Sequence, residues 1–562
     1  MTDAPKPASS LDGSPWRARL GHQVGRLGDV FRAESLLLAV LSGSFLTRWL
    51  LADRNSYWLD EHYSVAIYGV WNETALDAVR HLAQTSVHPP LYQFVLYHWM
   101  SWFGDSEVAT RSLSNLYVTL AALFLYLLLK DAFSRRVALA SVVTFSLMYT
   151  PTYYGLETRS YAQTIFLVTL SSYLLLRLMR TAADRGWRLA LISPLGSLFT
   201  LANAALLLTH YYNAFFWVAQ GIVAGVFVLR ERPPRRWPSG VGVLAGIYGL
   251  QAAIFLGVWG RVFLNDYTRR AGDFAVEQGD LRGPLAILRN SVVLRNIDPT
   301  RLVAWIGLAV AVVMLIRAFV AVARRTGLTL DRRRAWTILY LVAWLVLPLV
   351  MVYLVFATVG VARYSARFFV FSVVPLAPLL VLTAEEAARL VSDVLERVRG
   401  VGLHAGWSIA AISLGVAALI VPGTYAAATA PKADWRGTAQ AMVAIVQSNP
   451  EASYVIFEPA FRSTPVFDYY LSRYSDTVRV TATIRRVEER RGENFSFERR
   501  ADFIQEHDFL ILPFTHHRVT DFAIALEKLE ETYDLHLWQI DSNGKGLVIF
   551  STSPRPSDVS DA

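Results

Sequence analysis

Two adjacent carboxylates, Asp60 and Glu61, lie in an aromatic stretch that runs from Tyr57 to Tyr63. The stretch directly follows the first apolar segment of the chain, so it is expected at a membrane surface. A carboxylate there could act as a general base that deprotonates a hydroxyl, and an unused acidic pair beside a bilayer is costly. The alternative is a solvated loop with an ordinary acidic pair, which is the commoner case for an isolated Asp-Glu.

Basic and imidazole side chains elsewhere in the chain could hold an anion beside these carboxylates. Arginine suits bidentate contacts with phosphate, and the candidates are Arg159, Arg363, Arg367 and His88. Each also has an ordinary interpretation. The two later arginines could mark a membrane edge, Arg159 could pair with Glu157, and His88 and His210 could be interfacial histidines. A divalent metal held by His88, His210 and Asp60 stays open, because spacing alone does not support it.

The composition is that of a membrane protein. Of 562 residues, 54% are hydrophobic and only 18% are charged, and the mean hydropathy is +0.34. A soluble protein of this length usually carries about a quarter charged residues. The chain has no cysteine, which leaves the redox compartment undecided. Residues 1–33 are polar and contain arginine, so they are not a cleavable signal.

Apolar runs that are long enough to cross a bilayer recur along the chain. The fold class is therefore a polytopic α-helical membrane protein with about eleven transmembrane helices. We predict them at roughly 35–52, 112–130, 137–155, 160–179, 189–209, 212–230, 240–259, 302–323, 335–357, 367–385 and 406–426.

The distribution of Lys and Arg predicts the side that each loop faces. Five arginine-rich loops fall on the same side as the arginine-containing N-terminus, and we assign that side to the cytoplasm. Segment 89–104 is apolar and aromatic, but every later basic loop would move outside if it crossed the membrane. It is therefore predicted to lie in the outer interface, and segment 64–84 could add further surface helices.

These assignments divide the chain into four parts. They are a cytoplasmic tail (1–33), a transmembrane domain (34–430) with a catalytic first outer loop at 53–111, an extracytoplasmic soluble α/β domain (431–552) and a disordered tail (553–562). Residues 431–562 carry 15 Lys and Arg against 20 Asp and Glu, whereas the rest of the chain is basic. Alternating strand and helix patterns predict the α/β domain, and the outer loop 260–301 is long enough to be a lid.

A sugar transfer at the outer surface would need the residues that gather there. Nucleotide sugars are absent outside the cell, so the donor sugar must be carried by a lipid such as a polyprenyl phosphate. The enzyme then needs a carboxylate base and cations for the phosphate that leaves. The chain contains no Walker A sequence, no dinucleotide glycine fingerprint and no His-Glu-x-x-His, which argues against an ATP-driven pump. Nucleic acid is not an expected partner.

An ordered set of short motifs resembles the GT-C fold, polyprenyl-phosphate-dependent glycosyltransferases. The resemblance is to bacterial relatives of protein O-mannosyltransferases and of the aminoarabinose transferase that acts on lipid A. The motifs are Trp58-Leu59-Asp60-Glu61, His88-Pro89-Pro90-Leu91-Tyr92, Phe103-Gly104-Asp105-Ser106-Glu107 with Arg111, Glu157-Thr158-Arg159-Ser160-Tyr161, Thr209-His210-Tyr211-Tyr212, Arg363-Tyr364 and Asp434-Trp435-Arg436-Gly437. They cover most of the first 215 residues and then scattered points.

The resemblance implies an inverting transfer from a lipid phosphate, with Asp60 or its neighbour Glu61 as the base. Glu157 would be a second acidic residue beside the site, and the arginines would hold the phosphate. The lipid A enzymes tend to have a lysine where this chain has His88, which departs from the pattern. Side chains expected to contact substrate are His210, Tyr211, Tyr63, Tyr92 and Tyr161.

The leading hypothesis is thus an integral-membrane glycosyltransferase in a bacterial inner membrane, which moves one sugar to a hydroxyl of a lipid, glycan or protein. A lipid-linked saccharide transporter or flippase is the first alternative, since it needs the same arginines but no base. It would also need a charged path through the membrane, and the predicted spans contain few central charges. The other alternative is a scaffold that binds envelope polymers, but such a scaffold would not explain the carboxylates and arginines of the outer loops.

Overall fold

A computed structural model describes residues 34–86, 88–186, 193–231, 237–270, 330–359 and 366–399, with shorter stretches between 421 and 551. Several predictions lie outside the described residues: the tails 1–33 and 553–562, the span 302–323, nearly all of the span 406–426, and Arg363 with Tyr364. The described residues are mostly helical.

The first part of the chain forms helices α1 to α4. They are α1 (Ser35–Leu51), the short α2 (Leu59–His62), a π-helical segment (Tyr63–Val70), α3 (Ala75–Thr85) and α4 (Leu91–Phe103). The α4 helix begins directly after Pro89-Pro90 and ends at Gly104, whose φ of 83° suits a residue without a side chain. It is the predicted interfacial segment, and it is not among the helices long enough to cross a membrane.

The central part of the chain forms helices α5 to α13. They are α5 (Glu107–Lys130), α6 (Arg135–Leu147), α7 (Tyr149–Gly155), α8 (Ser160–Arg185), α9 (Pro194–Leu207), α10 (Asn213–Glu231), α11 (Trp237–Arg270), α12 (Leu330–Val359), a 3₁₀ helix (Ala366–Val373) and α13 (Leu376–Arg399). Serine hydroxyls cap several of them: Ser106, Ser134 and Ser193 accept a hydrogen bond from the amide three residues on.

Six helices among the described residues are long and apolar enough to cross a membrane. They contain residues 107–130, 160–183, 213–230, 238–265, 332–355 and 367–394. Two further predicted spans form shorter apolar helices, α1 and α9. The multi-pass membrane architecture is therefore confirmed at this coarser level, while the number eleven stays a prediction.

Two boundaries differ from the prediction. The apolar run 137–155 is not one helix but breaks at Met148 between α6 and α7. Pro151 lies in the first turn of α7, where its missing amide hydrogen does no harm, but it could not continue α6. The predicted outer loop also begins later than residue 260, because α11 continues to Arg270.

The C-terminal part forms α14 (Trp435–Ser448), α15 (Thr464–Tyr474) and five strands. The strands are β1 (Tyr454–Glu458), β2 (Ala482–Thr483), β3 (Phe509–Pro513), β4 (His536–Ile540) and β5 (Leu547–Ser551). They lie in the order β2-β1-β3-β5-β4. The β1 strand is parallel to β2 and β3, and β5 is antiparallel to β3 and β4.

The two helices of this part share a core with the first outer loop. Tyr57, Tyr92 and Leu96 are buried together with Trp435 and Tyr470 in one apolar cluster. The Tyr470 hydroxyl accepts a hydrogen bond from the Tyr57 amide at 2.7 Å. Residues 435–474 therefore do not form a separate unit, and they brace the loop that carries the acidic pair.

Candidate active site at the first outer loop

Glu61 forms a buried ion pair with Arg111. The guanidinium donates from Nε to Oε1 at 2.9 Å and from Nη2 to Oε2 at 2.7 Å. The Thr158 amide donates to Oε1 at 2.8 Å, and the Trp58 amide to Oε2 at 3.2 Å. Glu61 is 0% exposed and all four acceptor positions are used, so its contacts tie the loop to α5 and to the Thr158 amide.

Arg111 connects that pair to the end of the first span. Besides Glu61 it donates to the carbonyl oxygens of Ala52, Asn55 and Ser56. Burial alone would raise the pKa of Glu61, but the nearby charges of Arg111 and Lys432 and the hydrogen bonds hold it below its ordinary value. The Thr158 bond ties the Glu157–Arg159 loop to the acidic pair.

Asp60 differs from its neighbour because its side chain is only partly buried. Its Oδ2 accepts a hydrogen bond from Nη1 of Arg367 at 2.7 Å, and the two side chains are 26% and 36% exposed. Arg367 enters at the start of the 3₁₀ helix that precedes α13. The guanidinium also lies over the rings of Trp58 and Phe368, at 6.0 and 5.8 Å from their centroids. Of the two predicted bases, Asp60 is the one within reach of a substrate.

Arg159 is the second cation of this cluster, at the N-terminal boundary of α8. Its Nη1 donates to the main-chain oxygen of Asp60 at 3.0 Å and to the Ser64 hydroxyl at 3.1 Å. Its Nη2 lies 3.4 Å from Nε2 of His88. An arginine nitrogen can only donate, so this contact requires a lone pair on that imidazole nitrogen. The geometry therefore favours His88 as a residue that positions Arg159 over direct phosphate contact through Nε2.

His210 completes the cluster from the loop between α9 and α10. Its ring lies 5.5 Å from His88, 6.0 Å from Tyr161 and 5.2 Å from Phe368. Burial, together with the positive charges of Arg159 and Arg367, lowers the pKa of His210 to about 3. The ring is neutral at pH 7. Its Nδ1 accepts from the Tyr212 amide at 3.3 Å, which places the proton on Nε2.

Three buried nitrogen atoms of this cluster lack a hydrogen-bond partner among the described residues. They are Nε of Arg159, Nε of Arg367 and Nε2 of His210. A buried donor without a partner is costly, so such groups call for a bound acceptor. The N-terminus of the long helix α8 points into the same place and favours an anion further. The arrangement fits a phosphate beside the Asp60 carboxylate.

Glu157, the third predicted acid, is paired with a residue that the sequence analysis did not assign. It is 1% exposed, and its Oε1 lies 2.8 Å from Nζ of Lys432. The pKa of Glu157 is raised, chiefly by burial and further by the negative charge of Glu61, while the positive charge of Lys432 opposes the rise. The Lys432 ammonium also lies 4.9 Å from the Tyr153 ring and 5.9 Å from the Trp58 ring. Lys432 lies two residues before Asp434, the first residue of the Asp434–Gly437 motif.

The remaining predicted residues fall at different distances from the cluster. Tyr161 lies under Arg159, whose guanidinium carbon is 6.0 Å from its ring, and Tyr92 is buried beside Ser64 and Arg159. Tyr63 stacks on Tyr68 at 6.3 Å. Tyr211 packs instead against Phe255 and Phe263 of α11, and its hydroxyl accepts from Trp259. Within the described residues, no group of three metal-binding side chains is found.

Comparison with known proteins confirms the predicted resemblance. Residues 87–259, from the His88-Pro89-Pro90 motif into α11, match the model of the family described as dolichyl-phosphate-mannose-protein mannosyltransferase. No curated protein matches the chain.

Two solved structures are similar over most of the chain. ArnT from Cupriavidus metallidurans, bound to undecaprenyl phosphate, is 13% identical to this chain and has a TM-score of 0.48. The match covers 93% of this chain and 99% of the ArnT chain. The archaeal oligosaccharyltransferase AglB from Archaeoglobus fulgidus, in complex with an inhibitory peptide and a dolichol-phosphate, is 13% identical, with a TM-score of 0.44 over 93% of this chain and 75% of that chain.

Proposed function

We propose that this protein is an integral-membrane glycosyltransferase that takes a single sugar from a polyprenyl-phosphate donor. The acceptor is a hydroxyl of a lipid, glycan or protein at the extracytoplasmic face of a bacterial plasma membrane. The observation that carries the proposal is the set of three unpartnered N–H groups on Arg159, Arg367 and His210, of which Arg367 is bonded to the Asp60 carboxylate. The family match over residues 87–259 supports a lipid-phosphate donor.

The chemistry follows from the two halves of this cluster. The donor phosphate binds Arg159 and Arg367, with a further hydrogen bond from Nε2 of His210. The acceptor hydroxyl attacks the anomeric carbon from the opposite face while Asp60 takes its proton. The bond from that carbon to the phosphate oxygen breaks, and the lipid phosphate leaves with the electron pair. The product has inverted configuration.

The resting contact between Arg367 and Asp60 adds an order to these events. A carboxylate oxygen that accepts a hydrogen bond from a guanidinium is less available to a substrate hydroxyl than a free one. A donor phosphate competes for the same guanidinium, because arginine binds phosphate in a bidentate manner. Binding of the donor therefore releases Asp60 for the acceptor, so the base becomes available only when the sugar is in place.

The experiment that tests the proposal measures polyprenyl phosphate release by the purified protein. Radiolabelled polyprenyl-phosphate mannose, glucose and arabinofuranose are each offered with envelope extract as acceptor. The Asp60→Asn variant should lose turnover while it folds and binds donor normally, and Asp77→Asn, on the exposed face of α3, should keep wild-type activity. An active Asp60→Asn protein would refute the assignment of the base. Donor-dependent thermal stabilisation without transfer, in wild type and variant alike, would favour the flippase alternative.

A further inference from the structure

The three residues that precede α8 each contact a different part of the protein. Glu157 pairs with Lys432 of the C-terminal part, with 2.8 Å between Oε1 and Nζ. The Thr158 amide donates to Glu61 of the first outer loop at 2.8 Å. Arg159 belongs to the proposed phosphate site, and its amide donates to the Glu157 carbonyl oxygen at 2.9 Å. Arg159 is therefore joined to Lys432 through one short turn, residues 157–159.

The first outer loop and the start of α14 fix the position of Lys432. Its amide donates to Oδ1 of Asn55 at 3.3 Å. Three residues further on, the Trp435 amide donates to the Ser56 hydroxyl at 3.0 Å. The Lys432 side chain is 20% exposed, against 1% for Glu157. The ammonium therefore enters from a fixed point of the main chain and ends on a buried carboxylate.

Glu157 depends on this cation because its other surroundings do not favour a negative charge. Burial and the charge of Glu61 raise the pKa of Glu157, whereas Lys432 and a hydrogen bond from Tyr153 lower it. The other titratable side chains that face the carboxylate, Tyr153 and Tyr154, are uncharged at neutral pH. Without Lys432, a buried carboxylate beside a second carboxylate must take up a proton or leave its buried position.

We propose that Lys432 is a positioning residue of the active site, which keeps Glu157 in its buried place and so sets Arg159 at the donor phosphate. The inference rests on the proposed function and adds the C-terminal part to the machinery that binds the donor. A turn without this pair would no longer hold Arg159 against the Asp60 main-chain oxygen and the Ser64 hydroxyl. The expected loss is about tenfold or more in affinity for a lipid phosphate, which equals one charge-assisted hydrogen bond.

The test measures equilibrium binding of polyprenyl phosphate to the full-length protein at pH 8 and pH 6, and amide hydrogen exchange at Thr158 without ligand. Lys432→Met removes the cation with little change in side-chain length. It should bind about tenfold more weakly than wild type at pH 8 and exchange the Thr158 amide faster. The deficit should shrink at pH 6, because protonation of Glu157 removes the uncompensated charge. Comparison with wild type at each pH cancels the titration of the ligand and of His88, which both proteins share.

Two further variants separate the charge of Lys432 from its packing. Glu157→Gln in the Lys432→Met background removes the uncompensated carboxylate, so it should recover most of the affinity at both pH values and slow exchange at Thr158. Lys130→Met is the control, because the Lys130–Glu34 pair at the C-terminal end of α5 is 3.2 Å long and 39% and 21% exposed; it should change neither quantity. A double variant as impaired as Lys432→Met would overturn the inference, as would a folded Lys432→Met protein that matches wild type.

Two other outcomes are equally informative. If Lys432→Met does not fold, a double variant that folds and binds polyprenyl phosphate supports the inference, and a double variant that also fails to fold overturns it. Wild-type protein without affinity for polyprenyl phosphate would contradict the proposed function, while exchange at Thr158 would still report whether Lys432 holds the turn.

Discussion

The two adjacent carboxylates differ in burial and in partners, and substitution of each one should separate stability from turnover. Glu61→Gln keeps the size of the side chain but leaves the buried Arg111 guanidinium without its counter-charge. Both side chains of this pair are almost completely buried, at 0% and 3% exposed. Removal of one partner of a buried ion pair costs about 3–5 kcal/mol, so Glu61→Gln should be strongly destabilised.

Asp60→Asn should have a far smaller effect on stability. Its partner Arg367 is 36% exposed, and a pair this open to solvent contributes about 1 kcal/mol or less. Arg111→Met should cost more than Glu61→Gln, because it also leaves the carbonyl oxygens of Ala52, Asn55 and Ser56 without that donor.

The assay is unfolding in detergent, followed by intrinsic fluorescence, with donor turnover measured on the folded fraction. We expect Glu61→Gln to lose stability and to keep turnover per folded molecule within a few-fold, whereas Asp60→Asn keeps stability and loses turnover. The double variant Glu61→Gln with Arg111→Met should be less destabilised than the sum of the single variants, because the two residues interact directly. A Glu61→Gln protein with wild-type stability and no turnover would refute the reasoning and make Glu61 the base.

Two further predictions concern residues around the same loop. Tyr470→Phe leaves the Tyr57 amide without its 2.7 Å partner, so it should lower the free energy of unfolding by about 1–3 kcal/mol and speed amide hydrogen exchange at Tyr57. Tyr474→Phe is the control, because Tyr474 is 37% exposed, and it should change neither quantity. Equal exchange at Tyr57 in both variants would contradict this prediction. Burial lowers the pKa of His62 to about 3 from 6.5, so the unfolded chain takes up a proton below pH 6.5 while the folded protein does not. The stability contributed by neutral His62 is therefore complete above pH 6.5 and is lost as the pH falls towards 3, by about 2 kcal/mol at pH 5. The free energy of unfolding, measured at pH 7 and at pH 5, should show this loss in wild type and a smaller loss in His62→Phe. An equal loss in both proteins would show that His62 is not the group responsible.

Much of this fold could be predicted because it depends on local patterns. The long apolar runs became α5, α8, α10, α11 and α12 within a few residues of most predicted ends, since length and hydropathy determine a membrane helix. The prediction that α4 does not cross the membrane depended on the side on which later arginines must lie, and α4 is indeed too short to be a candidate span. The break at Met148 was missed, although Pro151 was a visible signal, because proline is tolerated in the first turn of a helix and does not by itself tell where that helix starts.

The candidate site was predictable in its members but not in their pairing. Asp60 and Glu61 are chemically alike, and only the position of Arg111 in the structure shows which of the two carboxylates forms the buried ion pair. That arginine lies 50 residues further along the chain, and its guanidinium also binds carbonyl oxygens of the first loop, so no spacing rule relates the two. Asp60 and Glu61 are distinguished by how deeply each side chain is buried. The burial of a loop residue depends on the helices that pack around it.

Lys432 shows the same limit more sharply. A lysine just after the predicted membrane domain looks like part of a linker, and the predicted boundary at residue 431 separates it from Glu157. The structure brings its ammonium to 2.8 Å from that buried carboxylate, at the junction of the first loop and the C-terminal helices. A buried carboxylate must be neutralised or paired, so Glu157 itself was the signal that a distant cation was required. The need for charge balance predicts that Glu157 has a cationic partner, but only the tertiary structure shows that this partner is Lys432.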